Sequence, residues 1–68
     1  MSASRSGRVM EFDQHVGLGV VEAENGDAFP FHCTQIADGS RVIDTGAKVR
    51  FVVRDRPKGP EAYEIVKV

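Results

Sequence analysis

Residues 16–33 read VGLGVVEAENGDAFPFHC, and this stretch decides the fold. Residues 16–23 and 28–33 are short runs rich in valine and phenylalanine, the residues that favour a half-buried sheet. Asn25 and Gly26 stand between the two runs, and both tolerate the positive φ of a tight hairpin turn. The stretch therefore predicts two antiparallel strands joined by a short turn.

Three residues in this hairpin restrict how it fits into a sheet. Pro30 has no N–H to donate to a neighbouring strand, so we expect a bulge or an edge position there. Gly17 and Gly19 are two residues apart and face the same side, where missing side chains let a barrel wall approach the opposite sheet. Because the chain continues as a strand instead of opening a helix, this pair does not form a dinucleotide-binding loop.

The remaining strands lie outside the hairpin. Residues 8–12, 48–54 and 61–68 have the composition of strands. Alternation over residues 48–54 places Val49, Phe51 and Val53 on one face and Lys48, Arg50 and Arg54 on the other. Residues 34–46 lose any pattern and read as a long loop, and residues 56–60 form a turn. Three strands, a long connection and two further strands predict an all-β domain, a five-stranded antiparallel barrel whose closure removes exposed edges. Its predicted core consists of Val9, Val21, Phe29, Phe31, Val49, Phe51 and Ile65.

The length of 68 residues amounts to one small domain, which buries only about 60% of its unfolded surface. A single cysteine, Cys33, excludes an internal disulfide framework and a cysteine-rich zinc site. No apolar run approaches the roughly 20 residues of a membrane helix. Residues 1–6 lack the apolar stretch of a signal peptide. We expect a flexible segment over residues 1–6, one domain over residues 7–68 and a cytoplasmic protein that does not bind membranes.

Charge is distributed unevenly along the chain, although the net charge is only −1. Residues 1–40 contain two basic and six acidic side chains, whereas residues 41–68 contain seven basic and four acidic ones. This balance is unlike that of a strongly basic nucleic-acid-binding protein, but the second half has room for a local basic patch. Alternatively, these basic residues form an ordinary solvent-exposed face, and the carboxylates of Asp55 and Glu61 offset their positive charge. The residues that would contact phosphate are Arg50, Arg54, Arg56 and Lys58.

The chain resembles the bacterial cold-shock proteins and their cold-shock domain from Gly7 to about Val66. The resemblance rests on the order and spacing of short motifs: Gly7-x-Val9, Phe12-Asp13, Gly17-x-Gly19, Phe31-His32, Ile36, Gly46, Val49-x-Phe51 and Lys58-Gly59-Pro60-x-Ala62. It implies an oligonucleotide/oligosaccharide-binding (OB) barrel that binds single-stranded RNA or DNA without a cofactor.

The positions at which this family stacks bases are changed here. Its members use aromatic side chains on the second and third strands, and the first motif reads Lys-Gly-Phe-Gly-Phe-Ile. Residues 16–21 read VGLGVV, so Leu18 and Val20 stand in place of the two phenylalanines. Glu11 occupies the position of the family's tryptophan on the first strand, where a carboxylate repels phosphate.

The second motif is changed in the same way. Aligned on His32, Pro30 and Cys33 replace two further aromatic residues, so that His32 and Phe12 are what remains of the family's face. Each base–aromatic stack contributes about 1–3 kcal/mol, and three lost stacks remove about 3–9 kcal/mol. A micromolar complex has only about 8 kcal/mol in total. We therefore expect weak binding without strong sequence preference, in which phosphate contacts outweigh stacking.

Catalysis and metal binding are not expected. His32 and Cys33 are neighbours on a predicted strand, so their side chains should point to opposite faces, out of reach of each other as a base and a nucleophile. His15 and His32 have no third ligand with which to hold a metal.

The outward side of the second strand suggests another use. Leu18, Val20 and Pro30 would form an exposed apolar strip, and such strips mark either a binding surface or a patch that the chain itself covers. The alternative function is therefore a protein-interaction module or homodimer that uses the Leu18/Val20 face and has lost nucleic-acid binding. For the nucleic-acid function, the predicted contact residues are Phe12, Leu18, Val20, His32, Arg50, Arg54, Arg56 and Lys58.

Overall fold

The computed structural model describes residues 4–68, which form five β-strands and one short 3₁₀ helix. The elements are β1 (Arg5–Asp13), β2 (Leu18–Ala23), β3 (Ala28–His32), the 3₁₀ helix (Cys33–Gln35), β4 (Lys48–Arg56) and β5 (Gly59–Lys67). The predicted all-β, five-stranded antiparallel OB architecture is confirmed. Within residues 4–68, no helix has the length and apolar character needed to cross a membrane.

The first strand begins earlier than the predicted residue 8. Arg5 and Ser6 belong to β1, where they lie opposite Phe51 and Arg50 of β4. This long-range pairing extends the strand beyond what its own alternation indicates. Residues 1–3 of the expected flexible segment lie outside the described residues.

The strands form one sheet in the order β3-β2-β1-β4-β5. The sheet curls until its edge strands β3 and β5 contact each other, but no continuous ladder joins them. The chain after the 3₁₀ helix, which follows β3, is hydrogen-bonded to β5. Ile36 forms an isolated bridge with Ile65, and the Ala37 N–H donates to the Ile65 carbonyl at 2.7 Å. The barrel is therefore less completely closed than predicted, because side-chain packing and one isolated bridge join β3 and β5 in place of a hydrogen-bonded ladder.

The β2–β3 hairpin turns where Asn25-Gly26 predicts it. The Gly26 N–H donates to the Ala23 carbonyl at 2.9 Å, and the Ala23 N–H donates to the Asp27 carbonyl at 2.8 Å. Gly26 has φ 95°, as the left-handed last position of a three-residue hairpin loop requires. Asn25 accepts the Asp27 N–H through Oδ1 at 3.1 Å and donates to its carboxylate at 3.0 Å, so Asp27 orders the turn.

All seven predicted core residues are buried. Gly19 permits the predicted close approach, since a Cβ there would lie 2.6 Å from Cζ of Phe31. Pro30 lies on the edge strand β3, as a residue without an N–H should. Further core residues are Ala23, Ile36, Ile43, Val52 and Ala62, of which Ile36 and Ile43 come from the long connection that shows no sequence pattern.

The alternation predicted for β4 is kept past a bulge in β5. The pairing of the two strands shifts by one residue between Arg50 and Val52, and Glu64 of β5 has φ 54° at this point. Val53 still packs against the core and lies opposite the buried Ala62, as the alternation predicts. Val52 is buried on the other face of the strand, opposite Tyr63.

The long connection is attached to β5 by an ion pair. Asp38 accepts the Ser40 N–H at 2.9 Å, and its second carboxylate oxygen lies 3.2 Å from Nζ of Lys67. The hydrogen bonds from Ser40, together with Lys67, lower the pKa of Asp38 from its usual 3.8 to about 2. The carboxylate therefore stays ionised at every pH at which the fold would ordinarily be studied.

Candidate nucleic-acid interface

The outward surface of β1, β2 and β3 carries two cross-strand rows of side chains. Directly opposed residues of an antiparallel pair share one face of the sheet, so each row forms a continuous surface. We call these six residues the β1–β3 face. The rows are Asp13–Leu18–His32 and Glu11–Val20–Pro30.

The middle of this face is apolar and open to solvent. Leu18 is 51% exposed, Pro30 is exposed and Val20 is half-buried, which confirms their predicted outward orientation. They border a shallow groove of about 470 Å³. Its lining is Glu11, Phe12, Asp13, Val16, Leu18, Gly19, Val20 and Pro30.

Phe12 lines this groove, but its ring is mainly packed against the core. Its ring is stacked on Phe31, with the centroids 5.9 Å apart and the planes inclined by 16°. It lies opposite Gly19, whose missing side chain makes room for Phe31. Phe12 therefore forms part of the groove wall and offers little free ring surface to a base.

His32 ends β3 as an exposed side chain. Its Nδ1 accepts the Thr34 N–H at 3.2 Å, and the Thr34 hydroxyl oxygen lies 3.0 Å from the same atom. With Nδ1 used as an acceptor, the neutral ring carries its proton on Nε2. His32 can thus donate from Nε2 to a base or phosphate oxygen and present a ring face for stacking.

The prediction that His32 and Cys33 point apart is wrong. β3 ends at His32, and Cys33 opens the 3₁₀ helix, so the alternation of a strand no longer separates the two side chains. The Cys33 Sγ lies 3.9 Å from Nδ1 of His32. The lone pair of Nδ1 is already directed at the donors of Thr34, which leaves it unsuited to removing the thiol proton.

The predicted basic residues do not form one cluster. Arg50 lies opposite Ser6 and lines a separate groove with Arg8 and Lys48. Arg54 and Arg56 lie instead over the ring of Tyr63, at the far end of β4. Lys58 is in the turn that joins β4 to β5, between the two strands. The structure therefore separates Arg50 from the three basic residues of the β4–β5 hairpin.

One basic residue near His32 has no counterpart in the sequence prediction. Arg41 lines a groove of about 350 Å³ together with His32, Thr34 and Ser40. It belongs to the patternless connection between β3 and β4, so no periodicity or motif relates it to β3. The opposite border of the β1–β3 face carries the carboxylates of Glu11 and Asp13. Electrostatics therefore favours a phosphate chain along the β3 side over one along β1.

Within residues 4–68, no three His, Cys, Asp or Glu side chains are placed to hold a metal ion together.

Comparison with known proteins gives one consistent result. A family model described as the 'Cold-shock' DNA-binding domain matches residues 5–68. The chain is 36% identical to the cold shock-like protein CspE of Bacillus anthracis over 64 residues, which cover 93% of this chain and 96% of that protein. It is 38% identical to the cold shock-like protein CspA of Shewanella violacea, with 97% of each chain covered. It is 34% identical to the cold shock protein CspD of Bacillus subtilis over 94% of this chain and 98% of the relative.

Proposed function

This chain belongs to the cold-shock domain family, and from that premise we propose that it binds single-stranded RNA or DNA weakly and without strong sequence preference. The observation that carries the proposal is the Asp13–Leu18–His32 row. It sets an exposed imidazole beside an exposed leucine on an open strand surface. An imidazole can stack on a base or donate to it, while the leucine adds apolar contact.

The weakness follows from what the β1–β3 face offers to bases. Leu18, Val20 and Pro30 provide apolar surface but no aromatic face for a base to stack on. Each missing stack lowers the binding free energy by about 1–3 kcal/mol. His32 supplies one exposed ring. Binding must therefore depend mainly on phosphate contacts, which carry little sequence information.

The charges around the face determine where the phosphates run. Glu11 and Asp13 disfavour them along β1, whereas Arg41 stands beside His32 on the other side. The hairpin formed by β4 and β5 supplies further cations. The resulting interaction is sensitive to salt, because displaced counterions drive phosphate binding.

The two histidines of the chain provide a matched test. An amide NMR titration with short oligothymidine and oligouridine should shift the signals of Leu18 and His32. The His32→Ala variant should weaken binding at least about 5-fold, the lower value for one lost stack. His15→Ala should change it less than about 2-fold, because His15 is exposed in the turn between β1 and β2. Equal effects of the two substitutions, or unshifted amides at millimolar oligonucleotide, would remove the proposal.

A second candidate function uses the same face for protein contact. Val16 is 58% exposed and Leu18 51%, and with Pro30 they leave apolar surface uncovered. Exposed apolar surface of this kind is typical of association sites, and the carboxylates of Glu11 and Asp13 would not oppose a protein partner as they oppose phosphate.

This second candidate predicts self-association through the Leu18/Val20 face. Val20→Glu would place a charge at the centre of that interface and should give a folded monomer, because Val20 is only half-buried in the single chain. Sedimentation measures the oligomeric state, and circular dichroism shows whether the variant is folded. A mass that is the same for both proteins would exclude the homodimer.

A further inference from the structure

Tyr63 brings two arginines of β4 together. It lies opposite Val52 in the β4–β5 ladder and is half-buried. The guanidinium carbons of Arg54 and Arg56 are each 5.4 Å from the centroid of its ring. Both distances are within the range of a cation–π interaction. The tyrosine therefore holds two positive charges at one place on an otherwise exposed hairpin.

The two arginines differ in how much of their charge is already neutralised. Arg54 also lies 3.6 Å from the Glu64 carboxylate, in a pair whose side chains are both more than half exposed. Among residues 4–68, no carboxylate oxygen lies within 4.0 Å of the Arg56 guanidinium. Asp55, between them in sequence, points to the other face of the strand. Arg56 thus keeps its charge available, and Arg54 shares its charge with Glu64.

A guanidinium held over an aromatic ring is well prepared to bind phosphate. The ring interacts with the π-system of the cation, while the N–H groups at its edge remain free for the paired hydrogen bonds that arginine makes to phosphate oxygens. Because the side chain is already ordered, less conformational entropy is lost on binding. Two guanidiniums, each 5.4 Å from the same ring centroid, give a flexible nucleic-acid strand two cations to which its phosphates can bind.

We propose that Arg54, Arg56 and Tyr63 form a clamp for the sugar–phosphate backbone of single-stranded nucleic acid, with Tyr63 as the positioning residue. This inference rests on the proposed function and extends it to β5, which the β1–β3 face does not include. The clamp supplies phosphate contacts to a domain whose outward face has few aromatic rings. Its ligand is the phosphodiester, so it takes RNA and DNA alike.

The chain contains a single tyrosine, which makes the clamp directly observable. In an aromatic NMR spectrum the ring signals of Tyr63 should move as short oligothymidine is added. If the Leu18 and His32 amides shift while the Tyr63 ring does not, the clamp is refuted and the proposed function stands. If neither site responds at millimolar oligonucleotide, both fail.

Variants then separate the clamp from general electrostatics. Measured with a dye-labelled oligothymidine, Arg56→Gln and Tyr63→Leu should each weaken binding about 2- to 5-fold, and Tyr63→Phe should retain wild-type affinity because the ring remains. Lys48→Gln is the charge-matched control, since Lys48 is exposed at the opposite end of β4 and, among residues 4–68, has no carboxylate oxygen within 4.0 Å. Equal losses in Arg56→Gln and Lys48→Gln would overturn the clamp.

Glu64 offers a test in the opposite direction. Glu64→Gln removes the carboxylate that competes for Arg54 and keeps the size of the side chain. It should tighten binding about 2-fold, in the range expected for releasing an exposed ion pair. Glu24→Gln removes an exposed carboxylate of the β2–β3 turn and, as the matched control, should not tighten binding. A damaged fold does not raise affinity, so this result would identify the clamp. Unchanged or weaker binding by the Glu64→Gln variant would contradict it.

Discussion

Replacing Leu18 and Val20 together with phenylalanine is expected to tighten oligothymidine binding by at least about 30-fold. Both residues lie in the middle of the two cross-strand rows, between β1 and β3. Two added stacks contribute about 2–6 kcal/mol. Since neither side chain is part of the buried core, the free energy of unfolding should change by less than about 0.5 kcal/mol.

The controls for this double variant separate ring stacking from added apolar area. Leu18→Met with Val20→Ile keeps flexible or aliphatic side chains at the same positions and should leave affinity nearly unchanged. Val66→Phe adds a ring to β5 at a residue that is 48% exposed and outside the face. Fluorescence anisotropy of a labelled oligothymidine measures all three. If the phenylalanine variant binds no more tightly than these controls, the β1–β3 face is not where bases lie.

Phe31→Ala is expected to remove a large part of the free energy of unfolding at 25 °C. Phe31 is 1% exposed, stacks on Phe12 and fills the space beneath Gly19. Truncating a buried phenylalanine costs about 3–5 kcal/mol. At about 0.05–0.15 kcal/mol per residue, a domain of this length has only about 3–10 kcal/mol of stability. Urea unfolding followed by circular dichroism measures the loss.

Phe12→Ala provides the matched comparison, because Phe12 is half-buried and sits at the edge of the same stack. Its loss should cost about 1–2 kcal/mol, in proportion to the smaller apolar area it removes from water. Equal losses for the two variants would show that the stack, and not the buried ring of Phe31, stabilises this end of the barrel.

The parts of the fold that sequence predicts well depend on local patterns. Alternation identified the inward residues of β2 and β3, and Asn25-Gly26 fixed the position of their turn. With those two strands and the turn in place, the outward orientation of Leu18 and Val20 follows from the period of a strand.

The errors have a common cause in long-range or irregular backbone geometry. Arg5 and Ser6 extend β1 only because β4 lies beside them. His32 and Cys33 approach each other because the chain leaves the strand conformation between them, which single-sequence alternation does not reveal.

The position of Tyr63 illustrates the same limit for the candidate site. Arg54 and Arg56 were identified as candidate phosphate contacts from charge alone, but Tyr63 reaches them through a register that shifts at Glu64. A bulge of this kind changes which residues oppose each other across a ladder. Sequence patterns therefore identify the cations, and the structure shows what holds them.

Binding driven by phosphate contacts is tested by the affinity of the unmodified chain for oligothymidine, measured from about 50 to 200 mM salt. If two or three phosphate contacts carry the binding, the logarithm of the affinity should fall against the logarithm of the salt concentration with a slope of about −1.4 to −2.1, a loss of about 7- to 18-fold over this range. An affinity that does not change with salt, or no binding at millimolar oligonucleotide, would show that phosphate contacts do not drive binding to this chain.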